Sequence, residues 1–191
     1  MLRSFLLLAA SGLTLSACAS NMDYQDMSSP MARGGSASAP MAGSDMTPTM
    51  AMPFVAKAGA SDQFEIQSSQ IALQKSQNPD VRRYAQMLVT HHTQTTQEVT
   101  AAARAAGINP PPPMLEPMQA DMIAQLQSAP AGPAFDRLYM SQQVPAHQMA
   151  LDLHRTYAAR GDTPQLRTVA SRAVPIVQSH LTEAQGMTGR M

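Results

Sequence analysis

The chain has 191 residues, of which 44% are apolar and 14% are charged, and its basic and acidic residues balance at 13 each. The charged fraction lies below the roughly 25% that soluble domains usually carry. Because the charges balance, the chain lacks the basic field that binds nucleic acid, and we exclude nucleic acid as a partner. A single cysteine excludes an internal disulfide and a cysteine-based metal cluster.

Residues 1–17 have the pattern of a bacterial signal peptide. Arg3 supplies the positive start, and the apolar run that follows is too short to span a bilayer, which needs about 20 apolar residues. Its end, Leu15-Ser16-Ala17-Cys18, resembles the lipobox, a motif in which the peptidase cuts before a cysteine and the thiol of that cysteine carries diacylglycerol. We therefore predict a lipoprotein with Cys18 as the lipidation site and the membrane as its partner through the lipid anchor. The alternative is an ordinary signal peptide with an incidental cysteine.

Ala19 follows the predicted lipidation site. By resemblance to the sorting rules of enteric-type bacteria, alanine instead of aspartate at this place implies a periplasmic protein anchored to the outer membrane. Residues 18–52 form the anchor and a predicted disordered tether, because this stretch of Ser, Ala, Gly, Pro and Met has no apolar periodicity and cannot offset its ordering entropy. The tether methionines are soft donors suited to Cu(I), and the alternative is compositional drift in a linker.

Residues 53–187 show helical spacing of apolar residues and predict one folded domain. The four long helices are predicted over residues 53–77, 79–106, 133–160 and 164–186. A short helix is predicted over residues 114–128, interrupted near Pro117. Asn78 and Thr163 are predicted N-caps, each followed by a proline at the first helical position. Pro175 is predicted to kink the last helix.

The connections between these helices predict how they pack. One or two residues join the first helix to the second and the third to the fourth, so each pair should form an antiparallel hairpin. Residues 107–132 join the second helix to the third, which is long enough to travel the length of a bundle. We therefore predict an all-α fold: a ferritin-like up-down four-helix bundle with a long crossover between helices 2 and 3.

Each long helix carries an ionisable residue in its apolar stripe: Glu65, His92, His147 and His180. Glu65 lies 13 residues before Asn78 and His92 lies 14 after it, so both stand at the same height above that turn. If helices 2 and 3 run in the same direction, all four side chains meet near the middle of the bundle. Such groups need partners, because an unpaired buried polar group is costly.

Two interpretations of this cluster follow from the residue types. A carboxylate and three imidazoles suit a single Cu, Zn or Fe ion, which makes Glu65, His92, His147 and His180 the candidate metal ligands. The alternative is a hydrogen-bonded polar cluster that fixes the register of the helices. A di-iron centre would need a Glu-x-x-His pair on two helices, but valines stand three residues before His92 and His180.

Three further residues are candidate accessory ligands: Met87, His91 and His154. Met87, His91 and His92 form an M-x-x-x-H-H set that suits copper, although His91 fits a partly exposed rim residue as well. His154 lies seven residues after His147 and points the same way. We predict that His154 lies near the end of the bundle, in partial contact with water.

The domain resembles a known bacterial family at several short segments whose order and spacing carry the likeness. These segments are residues 54–58, Glu65-Ile66, residues 84–92, residues 135–139 with His147, and Val174-Pro175 with His180-Leu181. The family is domain-of-unknown-function family four-one-four-two, ferritin-like bundles regarded as outer membrane proteins. The resemblance spans residues 53–186.

The resemblance implies an exported helical bundle in which Glu65, His92, His147 and His180 match recurring polar positions of the family. Family members usually read Asp-His where this chain has His91-His92. The His-His pair after Met87 is similar to a second family of exported copper-binding bundles, domain-of-unknown-function three-zero-five.

No nucleophile arrangement, phosphate-binding loop or spaced acid–base pair occurs in the sequence, and Asp136 and Asp152 have the pattern of surface charges. The first hypothesis is therefore a non-enzymatic lipoprotein of the cell envelope with a binding or stress-protection role. The second is a periplasmic protein that handles copper or zinc through the His and Glu cluster. The third is a ferritin-like redox enzyme. The sequence identifies no protein partner and no substrate.

Overall fold

The computed structural model describes residues 48–191, which form five helices and no strand. The helices are α1 (Ala51–Lys75), α2 (Pro79–Ala105), α3 (Pro117–Ser128), α4 (Pro133–Arg160) and α5 (Pro164–Thr188). The predicted all-α class is confirmed. The predicted signal peptide, Cys18 and the tether up to residue 47 lie outside the described residues. None of the described helices combines the length and apolarity that crossing a membrane requires.

Local chemistry explains where the helices begin and end. Helices α2 to α5 each start at a proline, whose fixed φ and missing N–H suit the first helical position. Asn78 caps α2 as predicted, its side-chain oxygen accepting hydrogen bonds from two backbone N–H groups of the first turn. Thr163 makes no such bond to α5, because its hydroxyl donates to Asp162 instead. Gly107 follows the C-terminal end of α2 and has φ of 76°, a conformation that glycine adopts without steric strain.

Three predicted elements differ from the observed ones. The short helix starts at Pro117 and is not interrupted there, because Glu116 and Gln119 form a capping box just ahead of its first turn. α1 begins and ends two residues earlier than predicted. α5 continues without a break through Pro175 and beyond its predicted end.

The four long helices form a closed ring in the order α1, α2, α5, α4, with each helix packed against its two neighbours. Short turns make the α1–α2 and α4–α5 pairs antiparallel. α1 and α4 are antiparallel as well: Phe54 at the start of α1 stacks on Tyr157 at the end of α4, and Ser69 bonds Tyr139 towards the other end. α2 and α4 therefore run in the same direction.

α3 lies in the crossover between α2 and α4 and covers one side of the ring. It packs against α1 and α4, where Ile123 contacts Phe64 and Ala146. Lys75, the last residue of α1, donates to backbone carbonyls at the C-terminal end of α3. These bonds satisfy carbonyls that a helix end leaves open. The covered side of the ring is opposite the α2–α5 side.

The core consists of two apolar clusters with a polar layer between them. The first apolar cluster joins the start of α1 and α5 to the end of α2 and α4, and its large members are Phe54, Val99, Leu153, Tyr157 and Leu166. The second apolar cluster joins the opposite helix ends, and its large members are Tyr84, Leu88, Phe135, Tyr139 and Met140. Burial of this apolar surface stabilises the bundle at roughly 25 cal/mol per Å². The polar layer between the clusters holds the candidate site.

Candidate metal centre

The polar layer brings together one ionisable side chain from each long helix. Glu65 of α1, His92 of α2, His147 of α4 and His180 of α5 are buried, with exposed fractions of 0–3%. The three imidazole rings, named here the histidine triad, form a near-equilateral triangle. Ring centroids lie 5.6 Å apart for His92–His147 and 5.4 Å apart for the other two pairs. The structure thus collects the four residues that the sequence marks as candidate metal ligands.

The histidine triad offers nitrogen atoms at a spacing close to that of a metal site. When one ring nitrogen is taken from each of the three histidines, all three nitrogens lie within 4.8 Å of one another. Nitrogens bound to one ion at about 2.0–2.1 Å lie roughly 3.3–3.6 Å from one another, so modest side-chain rotations bring the triad to coordinating distance. Among residues 48–191, no hydrogen-bond partner exists for Nε2 of His92, Nε2 of His147 or Nδ1 of His180.

Asp62 of α1 orients the His92 ring. Its Oδ1 lies 2.8 Å from Nδ1 of His92, and its Oδ2 accepts a hydrogen bond of 3.0 Å from the Thr96 hydroxyl. An ionised carboxylate only accepts, so Nδ1 of His92 carries the proton and Nε2 is left for another partner. A carboxylate behind the imidazole is the usual support of a metal-binding histidine.

Asp62 was not among the candidate residues predicted from the sequence, and it is buried with an exposed fraction of 3%. The available signal was its position three residues before Glu65, which places both acids on one face of α1. Two buried acids of α1, Asp62 and Glu65, therefore face the cluster.

His147 is oriented by its own helix. Its Nδ1 donates to the backbone carbonyl of Gln143 at 2.9 Å, and Oε1 of Glu65 lies 3.5 Å from the same nitrogen. The Gln143 side chain donates to the Ser68 hydroxyl at 3.2 Å, which fixes α4 against α1 beside the site. Because a carbonyl only accepts, the proton of the neutral His147 ring sits on Nδ1 and Nε2 keeps its lone pair.

His180 is held by His91. Nε2 of His180 lies 2.8 Å from Nδ1 of His91, and the two rings stack with centroids 5.1 Å apart and planes inclined by 14°. When His180 donates through Nε2, its Nδ1 keeps a lone pair. Each ring of the triad then has one nitrogen in a hydrogen bond and one nitrogen without a partner among the described residues. His91 itself is partly exposed. His91 thus lies at the edge of the polar layer, in direct contact with the histidine triad.

Burial keeps two imidazoles of the triad neutral. It lowers the pKa of His147 to about 3 and the pKa of His180 to about 2, with the positive charge of His92 acting in the same direction. Burial also acts to lower the pKa of His92, but the hydrogen bond and charge of Asp62 raise that pKa above its ordinary value. Metal ligation requires neutral imidazole, so His147 and His180 are in the ligating form at neutral pH.

Glu65 is a buried carboxyl group without a hydrogen-bond partner among the described residues. Burial raises the pKa of Glu65 to about 7, although the positive charge of His92 acts to lower it. A nearby cation favours the charged form of a carboxyl group. Glu65 is therefore suited to supply a fourth ligand, or a compensating charge, to an ion held by the triad.

The remaining sequence-predicted residues lie outside the triad. Met87 is half-buried and packs against the second apolar cluster. The prediction that His154 contacts water is wrong, because Phe54 covers it edge-on at a centroid distance of 5.7 Å and its exposed fraction is 3%. Burial lowers the pKa of His154 to about 4.

Asp136, predicted as a surface charge, is buried in the first turn of α4, where the helix dipole favours a negative group.

Two tyrosines beside the layer were not identified from the sequence. The Tyr84 hydroxyl donates to the backbone carbonyl of His180 at 3.2 Å, and the Tyr139 hydroxyl bonds Ser69 at 2.9 Å. Burial and the negative charge of Glu65 raise the pKa of Tyr84 and of Tyr139, so both stay protonated. They fix α5 and α1 around the site as neutral hydrogen-bonding groups.

Fold and site together define a class of protein: an all-helical bundle whose long helices bury a cluster of imidazoles and carboxylates. Residues 36–187 match the family described as a domain of unknown function, DUF4142. The chain belongs to this family, which confirms the resemblance found in the sequence.

Solved structures share the helical-bundle fold. A DUF305 fragment from Deinococcus radiodurans is 19% identical, with a TM-score of 0.64 over 74% of this chain and 96% of the fragment. CopM in its Cu(I)-bound form is 18% identical, with a TM-score of 0.62 over 74% of this chain and 96% of CopM. CopM in its Cu(II)-bound form is 17% identical, with a TM-score of 0.62 over 74% and 97% of the two chains. No curated protein matches the chain in sequence.

Proposed function

We propose that the protein binds one copper ion in the polar layer, with His92, His147 and His180 as ligands and Glu65 as the adjacent carboxylate. The observation that carries the proposal is the histidine triad: three buried imidazoles gathered within 4.8 Å, each with one unpartnered nitrogen. Unpaired buried polar atoms cost stability, and a cation that accepts lone pairs from these nitrogens supplies the missing partners. His92, whose pKa is raised, gives up a proton to the solvent when the ion binds.

The donor set favours copper over other ions. Divalent copper stands highest in the affinity order of first-row metals for nitrogen sites, whereas Mg²⁺ and Ca²⁺ prefer oxygen ligands. The carboxylates of Asp62 and Glu65 lie beside the rings and offset the charge of an ion. Copper-bound forms of CopM have the same fold, which supports the proposal at the level of architecture.

The proposal includes a cellular setting. Signal-peptide and lipobox patterns in residues 1–18 support export, lipidation at Cys18 and anchoring at the periplasmic face of the outer membrane. There the protein would handle metal without catalysing a reaction, in a bundle whose parallel α2 and α4 support the ferritin-like arrangement. Labelling of growing cells with a radioactive fatty acid tests the anchor: we expect wild type to carry the label and Cys18→Ser to carry none, and an unlabelled wild type would contradict lipidation.

Competition titration of the purified full-length protein against a Cu(I) chelator tests the metal site. We expect His147→Ala to weaken binding by more than the roughly 100-fold that changes outside the ligand set produce. His154→Ala is the matched control, because it also removes a buried imidazole from α4 but leaves the triad intact.

Three outcomes of this titration decide the proposal. A His147→Ala variant that binds as tightly as wild type would contradict it, because copper would then sit elsewhere, for example on the methionines of residues 18–52. Tighter binding of zinc than of copper at the triad would replace copper by zinc. A wild-type protein that takes up neither ion would leave the layer as a polar cluster that sets helix register.

A further inference from the structure

His91 links the buried triad to the surface. It precedes His92 in α2, and successive helical residues are turned by about 100°, so His92 lies in the polar layer while His91 lies against α5. The His91 ring stacks on the His180 ring and shares the 2.8 Å hydrogen bond with it. Of the five histidines in the chain, four are buried, and His91 is the one that reaches solvent.

The side of the bundle that holds His91 is the side that α3 does not cover. α3 packs against α1 and α4, whereas His91 and His180 meet where α2 packs against α5. On this side the partly exposed His91 ring lies directly against the buried His180 ring. The His91 side chain is itself an imidazole, a ligand that copper binds well.

We propose that His91 is the entrance ligand through which copper reaches the histidine triad. This inference rests on the proposed function of the triad. An ion that arrives at the surface binds the partly exposed imidazole of His91 and then exchanges onto His180. In the exchange one metal–nitrogen bond forms as another breaks, and no electron is transferred. While the ion sits on Nε2 of His91, the His91 proton lies on Nδ1 and the His180 proton on Nδ1. As the ion moves to Nδ1 of His180, the first proton crosses the 2.8 Å hydrogen bond to Nε2 of His180, the proton of Nδ1 of His180 leaves to water, and Nε2 of His91 takes one proton from water.

A second path into the bundle is less suited to a metal ion. A cavity of about 150 Å³ between α1, α2 and residues 110–113 reaches Asp62, with Thr96 and Thr100 in its wall. Both carboxylate oxygens of Asp62 are already engaged by His92 and Thr96. The cavity therefore ends on an engaged carboxylate, whereas the path through His91 ends on an imidazole of the triad.

Stopped-flow transfer of Cu(I) from its bicinchoninate complex to the full-length protein tests the proposal. His91→Phe keeps a flat ring against His180 but carries no ligand nitrogen. We expect the transfer rate to fall by about tenfold or more, the scale of effect that residues next to a metal ligand produce. Because an entrance residue acts on uptake and release alike, release to a competing chelator should slow as well. His91→Phe also removes the partner of Nε2 of His180, so we expect equilibrium affinity to fall by up to about tenfold, far less than in His147→Ala.

The control is Thr100→Phe, which fills the cavity on the α1–α2 side and should leave the transfer rate unchanged. An unchanged rate in His91→Phe, or slower transfer in Thr100→Phe instead, would overturn the proposal. A loss of equilibrium affinity in His91→Phe as large as that in His147→Ala would also overturn it, because His91 would then be a resident ligand.

The proposed function fails by a different result, namely that the wild-type triad takes up no copper. If circular dichroism shows that His91→Phe is not folded, His91→Gln gives the same test with a smaller polar side chain. A wild-type transfer rate in folded His91→Gln would then count against the entrance role.

Discussion

The first apolar cluster and the polar layer are built from the same four helices, yet their side chains are satisfied to very different degrees. In the cluster, the rings of Phe54 and Tyr157 stack with centroids 3.8 Å apart, and Leu166 is fully buried. In the layer, atoms of Glu65 and of all three triad histidines find no hydrogen-bond partner within residues 48–191. The first apolar cluster therefore stabilises the metal-free protein, whereas the unpartnered polar atoms of the polar layer lower its stability.

This difference separates the residues that hold the bundle together from those that give it a function. Sequences depart from local consistency mainly at functional sites, where lost stability is compensated elsewhere in the molecule. Changes in the apolar cluster should therefore alter stability but leave metal affinity unchanged. Changes in the polar layer should alter metal affinity and its pH dependence.

Truncation in the first apolar cluster should have the largest effect on stability. Phe54→Ala removes the ring that stacks on Tyr157 and covers His154, and we expect the free energy of unfolding to fall by about 3–5 kcal/mol. Urea unfolding of the metal-free protein measures this loss. Copper affinity of the folded variant should equal that of wild type, and a parallel loss of affinity would remove the separation between cluster and layer.

Acid should destabilise the metal-free protein through its buried histidines. The pKa values of His147, His180 and His154 are lowered to about 3, 2 and 4, so the unfolded chain binds protons below pH 6.5 that the folded protein excludes. Glu65 opposes this trend, because its pKa of about 7 lets the folded protein bind a proton that the unfolded chain binds only near pH 4.5. His92 opposes the trend as well, because its pKa is raised and the folded protein binds its proton more readily than the unfolded chain does. Three groups outweigh two, and we expect Tm to fall by roughly 5–10 °C between pH 7 and pH 5.

Differential scanning calorimetry over this pH range makes the measurement. Glu65→Gln sharpens it, since loss of one opposing group should make the fall in Tm larger than in wild type. A Tm that stays constant or rises on acidification would show that the triad is already protonated in the folded state.

A change behind the His92 ring should have a smaller effect. Asp62→Asn keeps the size of the side chain but removes the negative charge beside His92, and we expect copper affinity to fall by about 10–100-fold. Thr96→Val is the matched control, because it removes the other hydrogen bond to Asp62 without touching an imidazole. Equal affinities of the two variants would mean that Asp62 serves the fold alone.

The sequence was sufficient to place the triad but not its supports. Apolar stripes at helical spacing put Glu65, His92, His147 and His180 on inward faces, and helix lengths put them near one height. Asp62 escaped notice because the stripe of α1 is weak, with polar neighbours on both sides. Its role depends on which side chain of α2 lies opposite, and that is a property of packing between helices.

The burial of residues near helix ends could not be predicted from the sequence of one helix alone, because it depends on which other element packs over that end. His154 lies only two turns from the end of α4, so its exposure depends on whether another element covers it. The start of α1 does so through Phe54. Asp136 shows the same limit, because a charged residue in a first helical turn gives no local sign of the surface packed over it.

X-ray absorption spectroscopy of the copper-loaded full-length protein identifies the atoms that bind the ion. We expect three imidazole nitrogens at about 2.0 Å from the copper, with that histidine signal lost in His147→Ala and kept in His154→Ala. A signal from thioether sulfur bound to the copper instead, unchanged by His147→Ala, would contradict the proposed metal site.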